Sequence, residues 1–193
     1  QGPIEPVRYG FRTLDRQWII PDARLINQPN PTLWNIYSAG QVYLTGLERA
    51  SPKTGSAISF TGLIPDLDHY KGSFGGRVFP LWADAAAKQP NVREELLEVL
   101  AEVYGRAVSA PDLMAYLAAT MAHPAFTARF AEDLVQPGLR VPLTADPELF
   151  NEAVEIGREV IWLHTFGERF ANPDAGRPKA PPKMTPDQRP HIP

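Results

Sequence analysis

Basic side chains in the first eighty residues are the groups of this sequence best suited to chemistry, and that chemistry is recognition of a polyanion. Residues 1–80 contain eight Lys or Arg against six Asp or Glu, a net charge of +2. Guanidinium groups bind phosphates, or bond two atoms of a guanine edge, when they converge on one surface. An ordinary solvated surface has the same composition, so charge alone does not decide between the two interpretations.

The remaining charge is distributed unevenly along the chain. Residues 81–170 carry seven basic and fourteen acidic side chains, a net of −7, and residues 171–193 carry four and two, a net of +2. The first part of the chain and its last part can therefore face a polyanion, whereas the middle part would repel one.

A short acidic segment is the best candidate for a metal site. Asp66, Asp68 and His69 place two carboxylates beside an imidazole, a set that could hold a hard cation. Segments of this composition are more often solvated turns. We find no phosphate-binding GxxxxGK[ST] loop and no GxSxG nucleophile elbow. His123 is expected to be a capping or core residue, and His164 a core residue.

The composition indicates a globular chain. With 193 residues and 44% apolar side chains it can form one domain with a sizeable core. The absence of cysteine excludes disulfides and thiolate metal sites and is compatible with a reducing cytosol. The longest weakly polar run, residues 113–122, is far too short for a membrane span. We therefore expect a cytoplasmic protein without a membrane partner.

Strand patterns fill the first half. Val7, Tyr9 and Phe11 alternate with Arg8, Gly10 and Arg12, which predicts a half-buried strand. Further strands or extended segments are predicted at residues 18–20, 24–26, 41–45, 56–61 and 77–81. Pro80 marks the last as an edge strand. We expect the aromatic side chains of these strands in the core rather than on a base-stacking surface: Tyr9, Phe11, Trp18 and Tyr43.

Helical periodicity fills the second half. A helix is predicted over residues 92–104, ended by Gly105. Ser109 and Asp112 predict a capping box for the next helix, and His123-Pro124 ends it. A shorter helix follows, with Phe130 among its apolar residues.

The last helix is predicted to begin at a cap supplied by Thr144 or Asp146. Its expected apolar face consists of Leu149, Phe150, Ala153, Val154, Gly157, Ile161 and His164. Strands followed by helices predict an α+β fold. We expect a single domain over residues 1–170, with a mixed or antiparallel β half at 1–82, long loops, and about four helices at 92–170 packed against it. Residues 171–193 contain seven prolines and are expected to form an extended tail.

Several segments resemble one family. Residues 11–18, Phe-Arg-Thr-Leu-Asp-Arg-Gln-Trp, resemble the Tyr-Arg-Pro-Phe-Asp-x-Arg-aromatic segment that follows the methyltransferase domain in type ISP restriction-modification enzymes. Thr13 and Leu14 replace the usual Pro-Phe, and Gln17 stands where Arg is common. The similarity continues in order through residues 24–29, 41–45, 63–72, 115–130, 140–144 and 162–170.

The resemblance implies that the chain is the C-terminal target-recognition (specificity) domain of such an enzyme. The family's enzymes are bacterial single polypeptides that combine a nuclease, a helicase-like ATPase and an N6-adenine methyltransferase with this domain. The expected function is therefore sequence-specific recognition of duplex DNA, without catalytic activity in the chain itself. The expected partners are double-stranded DNA and the methyltransferase domain of the same polypeptide. S-adenosylmethionine, ATP and Mg²⁺ are expected only in the parent enzyme.

Together, charge and resemblance predict that the strand half contacts DNA. The predicted set is Arg12, Arg16, Arg24, Gln41, Lys53, His69, Lys71 and Arg77. Lys53 and Lys71 suit phosphate contacts, and Arg24 and Arg77 suit base reading. Because Arg12 and Arg16 flank Asp15, pairing with that carboxylate is the alternative for both.

Two other function classes compete with this one. In the first, the helical half docks the catalytic domains and DNA contact is incidental. In the second, the chain is an independent enzyme that uses the loop from Asp66 to His69.

Overall fold

Apart from one short helix between the second and third strands, strands come first and helices follow, which confirms the α+β prediction. The structure, a computed structural model, describes residues 4–27, 29–47, 56–70, 76–134, 136, 138 and 140–171. The strands are β1 (Val7–Arg12), β2 (Asp15–Ile19), β3 (Tyr43–Leu47), β4 (Ile58–Thr61) and β5 (Gly76–Pro80). The helices are α1 (Pro31–Asn35), α2 (Glu94–Tyr104), α3 (Ala110–Ala122), α4 (Pro124–Arg129), α5 (Ala131–Leu134) and α6 (Pro147–His164). In the described ranges, no helix is both long enough and apolar enough to cross a membrane.

The strands form two antiparallel sheets. Strands β1 and β2 make a two-stranded ribbon in which Arg8 lies opposite Trp18 and Gly10 opposite Arg16. The second sheet has the order β4-β3-β5, so β5 lies at an edge, as Pro80 predicted. Residues 24–26, predicted to be extended, instead form a turn. The N–H groups of Leu25 and Ile26 donate to the carbonyl of Asp22 at 2.9 and 3.0 Å, and these hydrogen bonds bend the backbone into the turn.

The ribbon is held against the segment that follows β4. The N–H of Gly10 donates to the carbonyl of Ile64 at 3.0 Å, and the N–H of Asp66 donates back to Gly10 at 2.8 Å. At the hairpin end, the N–H of Thr13 donates to the carbonyl of His69 at 2.7 Å. A Cβ on Gly10 would lie 3.2 Å from the His69 ring, closer than most Cβ contacts, so the ring would have to shift slightly to admit a side chain. The hydrogen bonds leave β2 as the free outer strand of the ribbon.

Helix α3 begins and ends where its sequence predicts. The Ser109 side chain accepts from the N–H of Asp112, and the Asp112 carboxylate accepts from the N–H of Ser109. Pro124 starts α4 directly after α3 ends. Asp146, rather than Thr144, caps α6 by accepting from two N–H groups of its first turn. Local capping chemistry therefore sets both helix starts.

Helices α3 and α6 pack so closely that no side chain fits between them at Gly157. The carbonyl of Ala115 occupies the place of the missing side chain. Nearby, the fully buried Phe150 stacks on Tyr104 and Tyr116, with ring centroids 4.2 and 5.1 Å apart. The same apolar cluster continues into the sheet through Val42, Leu44 and Phe60. One core thus joins the β half to the helical half.

Some residues predicted to be in the core lie elsewhere. Phe11 and Trp18 are exposed on the ribbon, because a two-stranded ribbon covers only part of its side chains. Leu149 is exposed because it lies about 100° around α6 from Phe150. Phe130 is half-buried, since α4 and α5 cross the edge of the core. Tyr43 is fully buried and Tyr9 half-buried, as expected.

Candidate nucleic-acid interface

The β1–β2 ribbon displays an arginine and a tryptophan side by side. The guanidinium carbon of Arg8 lies 4.4 Å from the centre of the Trp18 ring. Trp18 is 63% exposed, an unusual state for so large an apolar side chain. Within the described residues, Arg8 forms no ion pair. A cation held over an exposed ring can contact a phosphate while the ring lies against a sugar or a base.

Arg12 is held by the segment that supports the ribbon. Its guanidinium donates to Oδ1 of Asp66 at 2.7 Å and lies 4.1 Å from the centre of the Phe11 ring. The Tyr9 hydroxyl donates to the other oxygen of Asp66 at 3.4 Å. Burial, reinforced by Asp66, raises the pKa of Tyr9 well above its usual value. Arg12 is thus fixed in direction but still partly open to solvent.

Arg16 contacts the turn that follows α6, 150 residues away. It pairs with Glu168 at 2.6 Å and lies 3.8 Å from the centre of the Phe166 ring. Phe166 has a φ of +55°, which is rare for a residue with a side chain and costs about 1–3 kcal/mol. Arg169 anchors this turn, because its guanidinium donates to the carbonyls of Gln41 at 2.9 Å and Gly62 at 3.0 Å. Neither Arg12 nor Arg16 takes the alternative partner, Asp15.

Arg24 lies in the turn after the ribbon. Its guanidinium and backbone N–H both donate to the carboxylate of Asp22, and its own side chain remains 78% exposed. These hydrogen bonds lower the pKa of Asp22 to about 2. The turn therefore presents an exposed guanidinium that its hydrogen bonds to Asp22 hold in place.

Gln41 was predicted to contact DNA, but its side chain lies in the interior. It is 0% exposed, and its Nε2 donates to the carbonyls of Ile36 at 3.0 Å and Trp82 at 2.9 Å. Its Oε1 accepts from the N–H of Trp82 at 3.0 Å. All of this amide's bonding capacity serves to join neighbouring segments, so the prediction of a DNA contact at Gln41 does not fit the fold.

His69 is also buried, against β3 and the ribbon. Its Nδ1 shares a hydrogen bond with Oγ1 of Thr45 at 3.0 Å. Burial lowers the pKa of His69 to about 4, so the ring is neutral at pH 7. A neutral, buried imidazole is positioned to support the ribbon and not to contact a phosphate. The prediction for His69 is therefore corrected in the same way.

Of the other predicted cations, one lies on the strand β5 and two lie outside the described residues. Arg77 is exposed on the edge strand β5, opposite Gly46, where it lines an apolar cleft of about 700 Å³ between the sheet and α3. Lys53 and Lys71 lie outside the described residues, so their predicted contacts stay predictions.

The side chains of Asp66, Asp68 and His69 are not grouped as the ligands of one ion. Among the described residues, no three His, Cys, Asp or Glu side chains are grouped so that they could hold an ion. Asp66 instead accepts from Arg12, Tyr9 and the N–H of Asp68. His164 is half-buried, where its ring meets Phe60 edge-on and its Nδ1 accepts from the N–H of Phe60. His123 is exposed at the start of α4.

The sequence analysis missed two features of this surface. It counted Arg8 among the basic residues but left it out of the predicted set. The turn pairs Arg12 with Asp15, and an irregularity between Gly10 and Arg12 then shifts the register so that Arg8 lies opposite Trp18. It also gave no sign that Phe166 and Glu168 would join Arg16, since no local pattern connects residues so far apart. Counting back from the turn would place Ile19 opposite Arg8, so both features required the folded structure.

Comparisons with known proteins gave a matching family and similar solved structures. Residues 3–191 match the profile of a family described as the Type ISP C-terminal specificity domain. The fold is similar to part of DrdV in its complex with DNA, with a TM-score of 0.64 and 22% identity. It is also similar to part of a nuclease-deletion mutant of the Type ISP restriction-modification enzyme LlaGI in complex with a DNA substrate mimic, with a TM-score of 0.57 and 18% identity.

These likenesses cover 83% of this chain in both cases, but only 16% of the DrdV chain and 11% of the LlaGI chain. The same fold is therefore a small part of each of those proteins. The comparison with curated proteins gave no match.

Proposed function

This chain belongs to the Type ISP C-terminal specificity domain family, and from that premise we propose that it recognises a specific sequence of duplex DNA through its β1–β2 ribbon. The observation that carries the proposal is the ribbon itself. Arg8, Arg12 and Arg16 each lie within 4.4 Å of the centre of an aromatic ring, and two of those rings belong to the ribbon. A two-stranded ribbon also has the width that the major groove of B-DNA admits.

The ion pairs of the ribbon do not prevent DNA binding. The side chains of Arg12 and Asp66 are 36% and 27% exposed, and solvent-exposed pairs of this kind contribute only about 0–1 kcal/mol. A phosphate can therefore replace the carboxylate at low cost. Before DNA binds, the carboxylates hold the guanidinium groups in fixed positions, which lowers the side-chain entropy lost on binding.

The contact set we propose follows the position of each side chain. Arg8, Arg12 and Arg16 bind phosphates at the ribbon, and Trp18 packs against the backbone or a base beside them. Arg24 and Arg77 remain candidates for base reading, and Lys53 and Lys71 for phosphate contacts. Gln41 and His69 are left out because both are buried.

The parent enzyme supplies the chemistry in this proposal. The chain would be a non-catalytic part of a bacterial cytoplasmic restriction-modification enzyme that methylates adenine and cleaves DNA. Its methyltransferase domain would be the direct neighbour of this chain, and S-adenosylmethionine, ATP and Mg²⁺ would bind elsewhere in the polypeptide. The family membership and the short share of the DrdV and LlaGI chains that is covered support this arrangement.

The proposal is tested by selecting duplexes with a randomised central segment on the purified chain. The enriched duplex and a scrambled duplex are then titrated with wild type, Arg8→Ala and Trp18→Ala at two salt concentrations. Arg93→Ala is the matched control, since Arg93 is an exposed arginine of the helical half. If Arg8 binds a phosphate, Arg8→Ala weakens both duplexes alike and lowers the salt slope by about one. A base-reading contact instead loses about 1–3 kcal/mol on the enriched duplex alone.

Two results would contradict the proposal. If no sequence is enriched, the chain does not recognise a specific site. If Arg93→Ala weakens binding as much as the ribbon variants do, the DNA-binding surface is not the ribbon.

A further inference from the structure

Helix α6 carries a row of large apolar side chains on its outer side. Leu149, Ile156 and Leu163 are 53%, 58% and 62% exposed. Seven-residue spacing shifts each one by only about 20° around the helix, so the three form a nearly straight row about 21 Å long. We call these three residues the outer row.

The fold itself does not use the outer row. Phe150, Val154, Gly157 and Ile161 of the same helix are buried and face α3 and the sheet. Those residues lie roughly 100–160° around the helix from the middle of the outer row. Single exposed apolar residues are common, but an aligned row of three such side chains is typical of a surface that another helix covers.

Acidic side chains lie along one flank of the row. Glu148, Glu152, Glu155 and Glu159 are all exposed, and none forms an ion pair within the residues that the structure describes. Their spacings of three and four residues bring like charges close together, which destabilises a helix. A partner with positive charge would remove this repulsion.

We propose that the outer row of α6 docks a basic amphipathic helix from another part of the same polypeptide. The partner helix would place an apolar ridge between the side chains of the row and lysine or arginine beside the four glutamates. The similar folds in DrdV and LlaGI make up only 16% and 11% of their chains, so in those proteins much more polypeptide is available to cover such a face.

The charges also disfavour two other occupants. A second copy of this chain docked through the same face would bring its own glutamates against the same four, and these like charges would repel each other. DNA would be repelled as well, because this flank is negative. The docking face and the proposed DNA-binding ribbon consist of different residues, so either proposal can fail without the other.

The test uses the 193-residue chain and a labelled synthetic helix as the probe. The probe is a 21-residue peptide with leucine at the heptad core positions and lysine beside them, and a second peptide replaces each lysine by glutamate. Binding is measured by fluorescence anisotropy for wild type, for Ile156→Lys, and for Leu25→Lys. Leu25 is an exposed leucine of the β half and serves as the matched control.

We expect saturable binding of the basic peptide, at least about tenfold weaker for Ile156→Lys and unchanged for Leu25→Lys. The acidic peptide should not bind. Ile156→Lys should retain the melting temperature and the DNA affinity of wild type, because the side chain is exposed and is not part of the ribbon.

Other outcomes overturn the proposal. Absence of binding by the basic peptide, or equal binding of both peptides, would show that the row does not select a basic helix. Concentration-dependent dimerisation that Ile156→Lys abolishes would identify a second copy as the occupant. Binding that appears only after removal of residues 172–193 would show that the end of this chain covers the row.

Discussion

Replacing Gly157 by alanine is expected to destabilise the protein, although alanine is the better helix former. A Cβ at this position would lie 1.7 Å from the carbonyl oxygen of Ala115 and 2.4 Å from its carbon. Real Cβ atoms stay at least 3.0 Å from such atoms, so α3 or α6 must move by about 1.3 Å, the difference between 3.0 and 1.7 Å. The obstructing atoms belong to the backbone, so no side-chain rotation can relieve the clash.

The magnitude follows from two opposing terms. Alanine gains about 1 kcal/mol over glycine within a helix. Overpacking a well-filled core costs about 1–3 kcal/mol and occasionally more. Moving one helix also loosens the contacts of the fully buried Phe150 and Ile161 on the same face. With the overpacking cost at or above its usual upper limit, we expect a net loss of about 2 kcal/mol. For a chain of this size that corresponds to a fall in Tm of roughly 4–8 °C.

The assay is urea denaturation followed by circular dichroism, with ΔG extrapolated to water. Glu155→Gly and Glu155→Ala provide the calibration, because Glu155 is exposed on the same helix and the pair measures the glycine-to-alanine gain without a clash. The Gly157→Ala change should have the opposite sign to that gain. A variant as stable as wild type would refute the close approach of α3 and α6 at this point.

Three further predictions concern the core, the buried histidine and the link between the halves. Phe150→Ala should cost about 3–5 kcal/mol because the ring is fully buried and stacked. Phe130→Ala should cost clearly less because that ring is only half-buried. Equal urea midpoints for the two variants would contradict this prediction. Burial holds the pKa of His69 at about 4 against 6.5 unfolded, so stability is greatest above pH 6.5 and falls as the pH drops towards 4. The slope of Tm against pH in that window should be shallower in His69→Gln, with the exposed His123→Gln as control. Arg169→Ala should cost about 1–3 kcal/mol by leaving the carbonyls of Gln41 and Gly62 unpaired. Arg169→Lys should restore little of this stability, since an ammonium does not reproduce the guanidinium fork. A lysine variant as stable as wild type would contradict this prediction.

Short-range chemistry explains the elements that the sequence predicted correctly. The capping box of Ser109 and Asp112, the break at Pro124, the left-handed Gly105 and the edge position of Pro80 each depend on residues close together in the chain. The family resemblance was also visible in short segments, and the match over residues 3–191 confirms it.

The sequence-based predictions were wrong where a residue's contacts, or the lack of them, depend on other segments of the chain. The composition of residues 24–26 is compatible with a strand, but the carbonyl of Asp22 draws them into a turn. Gln41 lies on a segment with a strand pattern, which did not show that its side chain would be buried. It is buried because its amide donates to the carbonyls of Ile36 and Trp82, which come from other segments. The exposure of Trp18 follows from how little of the ribbon the rest of the fold covers.

The fold class, the family and the position of the positive charge in the first half could all be inferred from the sequence, because composition and local hydrogen-bonding chemistry depend on neighbouring residues. Which cations reach the surface, and which groups hold them, depends instead on the packed fold. Arg16 meets Glu168 and Phe166 across 150 residues of sequence, and Gly157 meets Ala115 across 42. Contacts of that kind depend on how the helices and sheets pack, and no spacing pattern within one segment encodes them.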